Sequence, residues 1–95
     1  MNKISKDEFV KRLRNVHSAT GVNGAKYASI KTTENTCTGV RESTGKPFTI
    51  NLDRLYTAYC ELEHIDTATL KNYVNRVQSP SLAILIKAKI GRAHV

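Results

Sequence analysis

Near the start of the chain, Phe9, Leu13 and Val16 recur at helical spacing with Val10 beside them. Ser5-Lys6-Asp7-Glu8 precedes them in a capping-box pattern, where a serine side chain accepts from the amide three residues on. Asp7 and Glu8 also suit the positive end of a helix dipole. A first helix is therefore predicted to run to about His17, with Lys11 and Arg14 pointing away from its apolar stripe. Residues 18–24, which hold Gly21 and Asn23-Gly24, read as a loop.

From Ala25 the pattern changes to short runs rich in β-branched and aromatic residues. Residues 26–32 and 36–41 read as strands joined by a turn at Thr33-Glu34-Asn35. A second turn at residues 43–47 leads to a third strand, 48–52, whose Phe48, Ile50 and Leu52 alternate onto one face. Connections this short favour an antiparallel meander, because parallel neighbours need a crossover of a dozen or more residues.

Leu52, Leu55, Tyr56, Tyr59 and Leu62 then form one continuous helical face, which Asn51 is placed to cap. His64-Ile65 interrupts the pattern. Asp66 or Thr67 is expected to cap a third helix that turns Leu70, Val74 and Val77 inward. Ser79-Pro80 signals the start of a last helix, residues 80–89, which is apolar almost all round through Leu82, Ile84, Leu85 and Ile86. Such a helix must be buried against something. The expected architecture is α+β: an N-terminal helix, a three-stranded antiparallel meander and two to three C-terminal helices packed on the sheet.

Composition narrows the possibilities. At 95 residues the chain is one domain, and 40% hydrophobic residues exclude disorder as its main state. Lys and Arg number 15 against 8 acids, a net charge of +7, which favours polyanionic partners such as nucleic acid. Cys37 and Cys60 show no metal-binding or redox spacing and read as reduced, packed cysteines. The polar N-terminus has no signal-peptide pattern, and no apolar stretch reaches the ~20 residues that span a bilayer. No membrane partner is expected, and a cytoplasmic location is.

The six residues Ile90-Gly91-Arg92-Ala93-His94-Val95 read as the translation of ATC GGA AGA GCA CAC GTC, one frame of a widely used sequencing adapter, the alternative being a natural tail that coincides with it. The domain is accordingly expected to occupy residues 1–89, with residues 90–95 a tail derived from adapter and the natural reading frame cut near Lys89. Without Arg92 the charge of +7 becomes +6.

Candidate chemistry is sparse. Between Gly39 and Gly45 lie five residues where a phosphate loop needs four, and Pro47 follows Lys46 where Ser or Thr belongs. This stretch reads as a hairpin turn. Glu34, Glu42, Glu61, Glu63 and Asp66 form no acid pair and no acid-x-Lys pattern, so metal-assisted hydrolysis has no support. His17 and His64 fall at helix ends, where a cation suits the dipole. Cys60 and His64 stand four residues apart, but two ligands do not make a metal site. No cofactor and no catalytic residue is expected.

The helical stretch 52–77 offers more. Two helices broken at residues 63–66 resemble a helix-turn-helix whose second helix presents Thr67, Thr69, Lys71, Asn72, Asn75 and Arg76. Arg and Asn make bidentate contacts to guanine and adenine edges, whereas an ordinary solvated helix face has the same composition. The expected nucleic-acid-binding residues are Lys71, Asn72, Asn75 and Arg76, with Lys11, Arg12 and Arg14 on the first helix and Arg41 and Lys46 on the hairpin as phosphate contacts. Tyr27 is the single tyrosine on the sheet, too few aromatics for a base-stacking platform.

Residues 45–50 (Gly-Lys-Pro-Phe-Thr-Ile), Leu55-Tyr56, residues 69–73 (Thr-Leu-Lys-Asn-Tyr) and residues 78–83 (Gln-Ser-Pro-Ser-Leu-Ala) together resemble small α+β accessory modules. Such modules accompany restriction-type nucleases and mobile-element genes in bacteria and phages. The resemblance spans residues 45–86, rests on structural signals and brings no catalytic residue. It implies an accessory DNA-binding or DNA-association domain of a prokaryotic defence or mobile-element protein. Two other readings stand beside it: a protein-interaction or homo-oligomerisation module using the apolar last helix, and a scaffold fragment of a truncated enzyme.

Overall fold

The computed structural model describes residues 4–90. Residues 1–3, and the 91–95 part of the expected tail, lie outside the described residues. The order of elements is α1 (Lys6–Arg14), β1 (Ala19–Thr20), β2 (Lys26–Thr32), β3 (Thr36–Arg41), β4 (Pro47–Asn51), α2 (Leu52–Glu61), α3 (Thr67–Leu70) and α4 (Gln78–Lys87). The strands form one antiparallel sheet in the order β1-β2-β3-β4. The α+β class is as expected, with four strands in place of three. The added strand, β1, has two residues in a stretch read as loop, too short for any alternation to register.

One face of the sheet is covered. Tyr27 and Ile30 of β2, Cys37 and Gly39 of β3, and Phe48 and Ile50 of β4 are buried, while Lys31, Thr49 and Asn51 on the other face are exposed. Tyr27 and Ile30 are three residues apart, a spacing that puts side chains on opposite faces of a regular strand. The strand resolves this with a bulge. Ala28 pairs with Val40 and Lys31 with Thr38, so β2 spends one extra residue there, and Ser29 takes a φ of 54°. Both apolar side chains then face inward.

Beneath the sheet, Phe9, Val10 and Leu13 of α1 join Leu52, Leu55, Ala58 and Tyr59 of α2 and Leu82 to Leu85 of α4 in one core. Phe9 meets Tyr56 edge-on at 5.2 Å between ring centroids and Tyr59 at 5.5 Å. The two tyrosine hydroxyls fix the backbone ahead of α1: Tyr56 donates to the Ile4 carbonyl and Tyr59 accepts from the Ile4 amide. The all-round apolar character of α4 is thus satisfied inside the domain, where it packs against α3 and β1. Ile90, the first residue of the expected tail, is 0% exposed and belongs to the same core.

Three helix boundaries differ from expectation. α1 stops at Arg14, with Asn15 as its C-cap, although Val16 is still buried. Leu52 opens α2 instead of ending β4, with Asn51 capping it as expected through the Arg54 amide. α4 starts at Gln78, so Ser79 is not its cap and Pro80 is its third residue. Proline is tolerated there because amides of the first helical turn have no partner within the helix.

Asp66 caps α3 as expected, accepting from the Thr69 amide at 2.8 Å, while Thr69 Oγ1 accepts from the Asp66 amide. The Thr69 amide, ahead of the smaller effects of the Thr69 hydroxyl and His64, holds the Asp66 carboxyl below its ordinary pKa. A depressed carboxyl stabilises the fold above its ordinary value and loses that contribution as pH falls through the folded one. Asp66→Asn should therefore have a lower melting temperature than the parent at neutral pH, with the gap closing as pH falls below the ordinary carboxylate range. A gap independent of pH would refute the charge-based account.

Gly39 supplies a second check. A Cβ there would stand 2.6 Å and 2.8 Å from the Phe48 ring that covers it. Gly39→Ala should cost about 1–3 kcal/mol in chemical denaturation, the usual range for overpacking.

Candidate nucleic-acid interface

The expected recognition helix does not form. α3 is a single turn of four residues, Lys71 is its C-cap, and residues 72–76 form turns, with Arg76 at a φ of 74°. Leu70 and Val74 are nevertheless buried and Val77 half-buried, so the apolar spacing served a folded turn in place of a helix. Asn72, Asn75, Tyr73 and the β-branched Val74 and Val77 are all weak helix formers, and no element extends the helix against that tendency. Lys71, Asn72, Asn75 and Arg76 are exposed as expected, on a turn that cannot lie in a groove as a helix does.

A non-helical segment must find other partners for its carbonyls. Here two arginines supply them. Arg54 of α2 donates from Nε to the Tyr73 carbonyl at 2.9 Å and from a terminal nitrogen to the Asn72 carbonyl at 3.4 Å. Arg41, at the end of β3, donates to the Arg76 carbonyl at 3.1 Å and to the Pro47 carbonyl at 3.4 Å, with its guanidinium 5.7 Å from the centre of the Phe48 ring. The Tyr73 hydroxyl adds a third tie, donating to Glu61 at 2.8 Å, and this bond raises the tyrosine pKa.

These contacts gather part of the expected site. The β3–β4 turn, with Arg41 and Lys46, lies beside the turn that carries Asn72, Asn75 and Arg76, and Arg54 joins them. Among the described residues none of Arg41, Lys46, Arg54, Lys71 and Arg76 is ion-paired to an acid. The sequence left Arg54 unnoticed because its partners lie 18 and 19 residues away, beyond any local pattern.

Lys11 and Arg14 are elsewhere. Both are exposed on α1, beside the β2–β3 turn at the other end of the strands. They line an open groove of about 680 Å³ with Lys6, Asp7, Glu34 and Asn35, and Arg14 also borders an adjoining groove of about 540 Å³ along Ser29 to Thr33. Lys6 is paired with Asp53, and Arg12 with Glu8 at 3.0 Å, so Arg12 is occupied within its own helix.

The remaining chemistry stays thin. α2 ends at Glu61 and Leu62 is extended, so Cys60 and His64 do not share a helix. His64 instead pairs with Asp66 at 2.9 Å. Among the described residues no three His, Cys, Asp or Glu side chains stand close enough to hold a metal. Both cysteines are free, and burial pushes the Cys37 thiol up despite its contact with the Thr32 hydroxyl. The glycine-lysine stretch is a hairpin turn, with Gly45 at a φ of 71° and its amide donating to the Arg41 carbonyl at 2.7 Å. Tyr27 is buried beneath the sheet, where it cannot stack on a base. No helix among the described residues is long and apolar enough to cross a membrane.

No family model, curated protein or solved structure matches this chain.

The double role of Arg54 can be tested directly. Arg54→Ala should lower stability by about 1 kcal/mol and raise hydrogen exchange in residues 71–77 selectively. Arg54→Lys should not restore protection, because an ammonium lacks the planar fork that meets two carbonyls at once.

Proposed function

We propose that this domain binds nucleic acid through its phosphate backbone, using the surface formed by the β3–β4 turn and the turn between α3 and α4. The observation that carries the reading is the convergence of Arg41, Lys46, Arg54 and Arg76 around one turn segment, with no acid among the described residues paired to any of them. Uncompensated cations at one surface attract a polyanion and release its counterions, which requires no recognition helix. Asn72 and Asn75, exposed on the same turn, add neutral donors suited to phosphate or sugar. Binding of this kind tracks the backbone with little preference for sequence. It suits an accessory domain that holds DNA for a partner activity in a prokaryotic defence or mobile-element protein, the setting suggested by the resemblance of residues 45–86.

The other expected readings draw less support. A protein-binding role for the last helix needs an exposed apolar face, and Leu82 to Leu85 of α4 are spent in the domain's own core. The Tyr face of α2 is likewise covered by α1. Among the described residues Val22, on the β1–β2 loop, is the one large hydrophobic that is exposed.

Titration of the full chain with random-sequence duplex at two salt concentrations tests the proposal. Affinity should fall with a log–log slope near −0.9 for each phosphate engaged, about −3 for three contacts. Replacing Lys46, Lys71 and Arg76 together by Gln should weaken binding about tenfold or more and flatten the slope, with the melting temperature unchanged. Absence of binding at low salt, or binding insensitive to salt, would overturn it.

A further inference from the structure

We infer that the α1 groove is a second phosphate-binding surface, so that one domain holds two separate nucleic-acid segments; this rests on the reading above. Lys11 and Arg14 are exposed on α1, and neither is ion-paired among the described residues. Arg14 stands where the two adjoining grooves meet, and Lys31 lines the second of them from β2. The grooves therefore present a run of three cations, Lys11, Arg14 and Lys31, with Asp7 and Glu34 as the acids along their walls.

This surface is distinct from the first in position and in surroundings. It sits at the β2–β3 turn, whereas Arg41, Lys46 and Arg76 gather at the opposite end of the six-residue strand β3, about 17 Å away at the usual rise per residue, with Arg54 in the first turn of α2 between the two. Beneath the sheet, α2 lies between them: its Tyr56 and Tyr59 face α1, while Arg54 and Glu61 face the turn at residues 72–73. The exposed flank of α2 carries Asp53 and Glu61, and Glu63 follows it. Asp53 is paired with Lys6, but a single strand running across α2 from one cationic surface to the other would pass Glu61 and Glu63 at a cost in repulsion. Two segments, one at each end, avoid that crossing.

The stoichiometry of binding reads this directly. The full chain is titrated at low salt with a duplex of about 10 bp, one helical turn, while sedimentation records the mass of the protein and of its complexes. Two duplexes per chain are expected. Lys11→Gln with Arg14→Gln should weaken one of the two binding steps severalfold and spare the other, Lys71→Gln with Arg76→Gln should weaken the other step and spare the first, and the fourfold variant should weaken both, each retaining the parent's melting temperature. One duplex per chain, weakened by both pairs of substitutions, would mean one continuous surface and overturn the inference while leaving the nucleic-acid reading intact. The same holds if the α1 pair changes nothing. No binding by the parent chain would remove both proposals together.

Discussion

A sheet with one covered face imposes the constraint on which this structure depends: every strand must bring its apolar side chains to the same side. β3 and β4 meet it by simple alternation, through Cys37, Gly39, Phe48 and Ile50. β2 cannot, since Tyr27 and Ile30 are an odd number of residues apart. The bulge at Ser29 accepts an uncommon backbone conformation in a non-glycine residue so that both can be buried. Gly39 answers the neighbouring problem, leaving room for the Phe48 ring to lie across β3. With that face made continuous, α1, α2 and α4 can close a single core over it.

The same economy shapes the basic surface. Residues 71–77 link a one-turn helix to α4 through turns whose amides bond locally, while cationic side chains from α2 and β3 hold the carbonyls of Asn72, Tyr73 and Arg76. A guanidinium used this way keeps its charge, because a backbone carbonyl neutralises nothing. Positive charge that serves the fold at Arg41 and Arg54 therefore remains available to attract an anion, whereas Arg12 and Lys6, held by Glu8 and Asp53, are compensated. Partnering by carbonyls on one side and by carboxylates on the other is what separates the cations of the proposed surface from those spent in ion pairs.

Much of the architecture was legible in the sequence. The caps at Ser5, Asn51 and Asp66 and the two hairpin turns lie where local patterns put them, because each is decided by residues within a few positions of one another. The errors share a cause. The helix expected over residues 67–77 had the right apolar spacing, but Leu70, Val74 and Val77 fit a turn as well as a helix, and the arginines that favour the turn come from distant elements. The four-residue α3 and the two-residue β1 lie below the length at which periodicity can be read. Within the candidate site, exposure of Lys71, Asn72, Asn75 and Arg76 followed from their polarity. The separation of Lys11 and Arg14 from them did not, because it is set by the order of strands and the placement of α2.

Mapping amide and arginine side-chain NMR signals of the full chain during titration with duplex DNA tests the central claim most directly. The account expects progressive shifts at Arg41, Lys46, Arg54 and residues 71–76, reversed by added salt. Shifts confined to the exposed face of the sheet, at Thr38, Thr49 and Asn51, or no shifts at all, would contradict it.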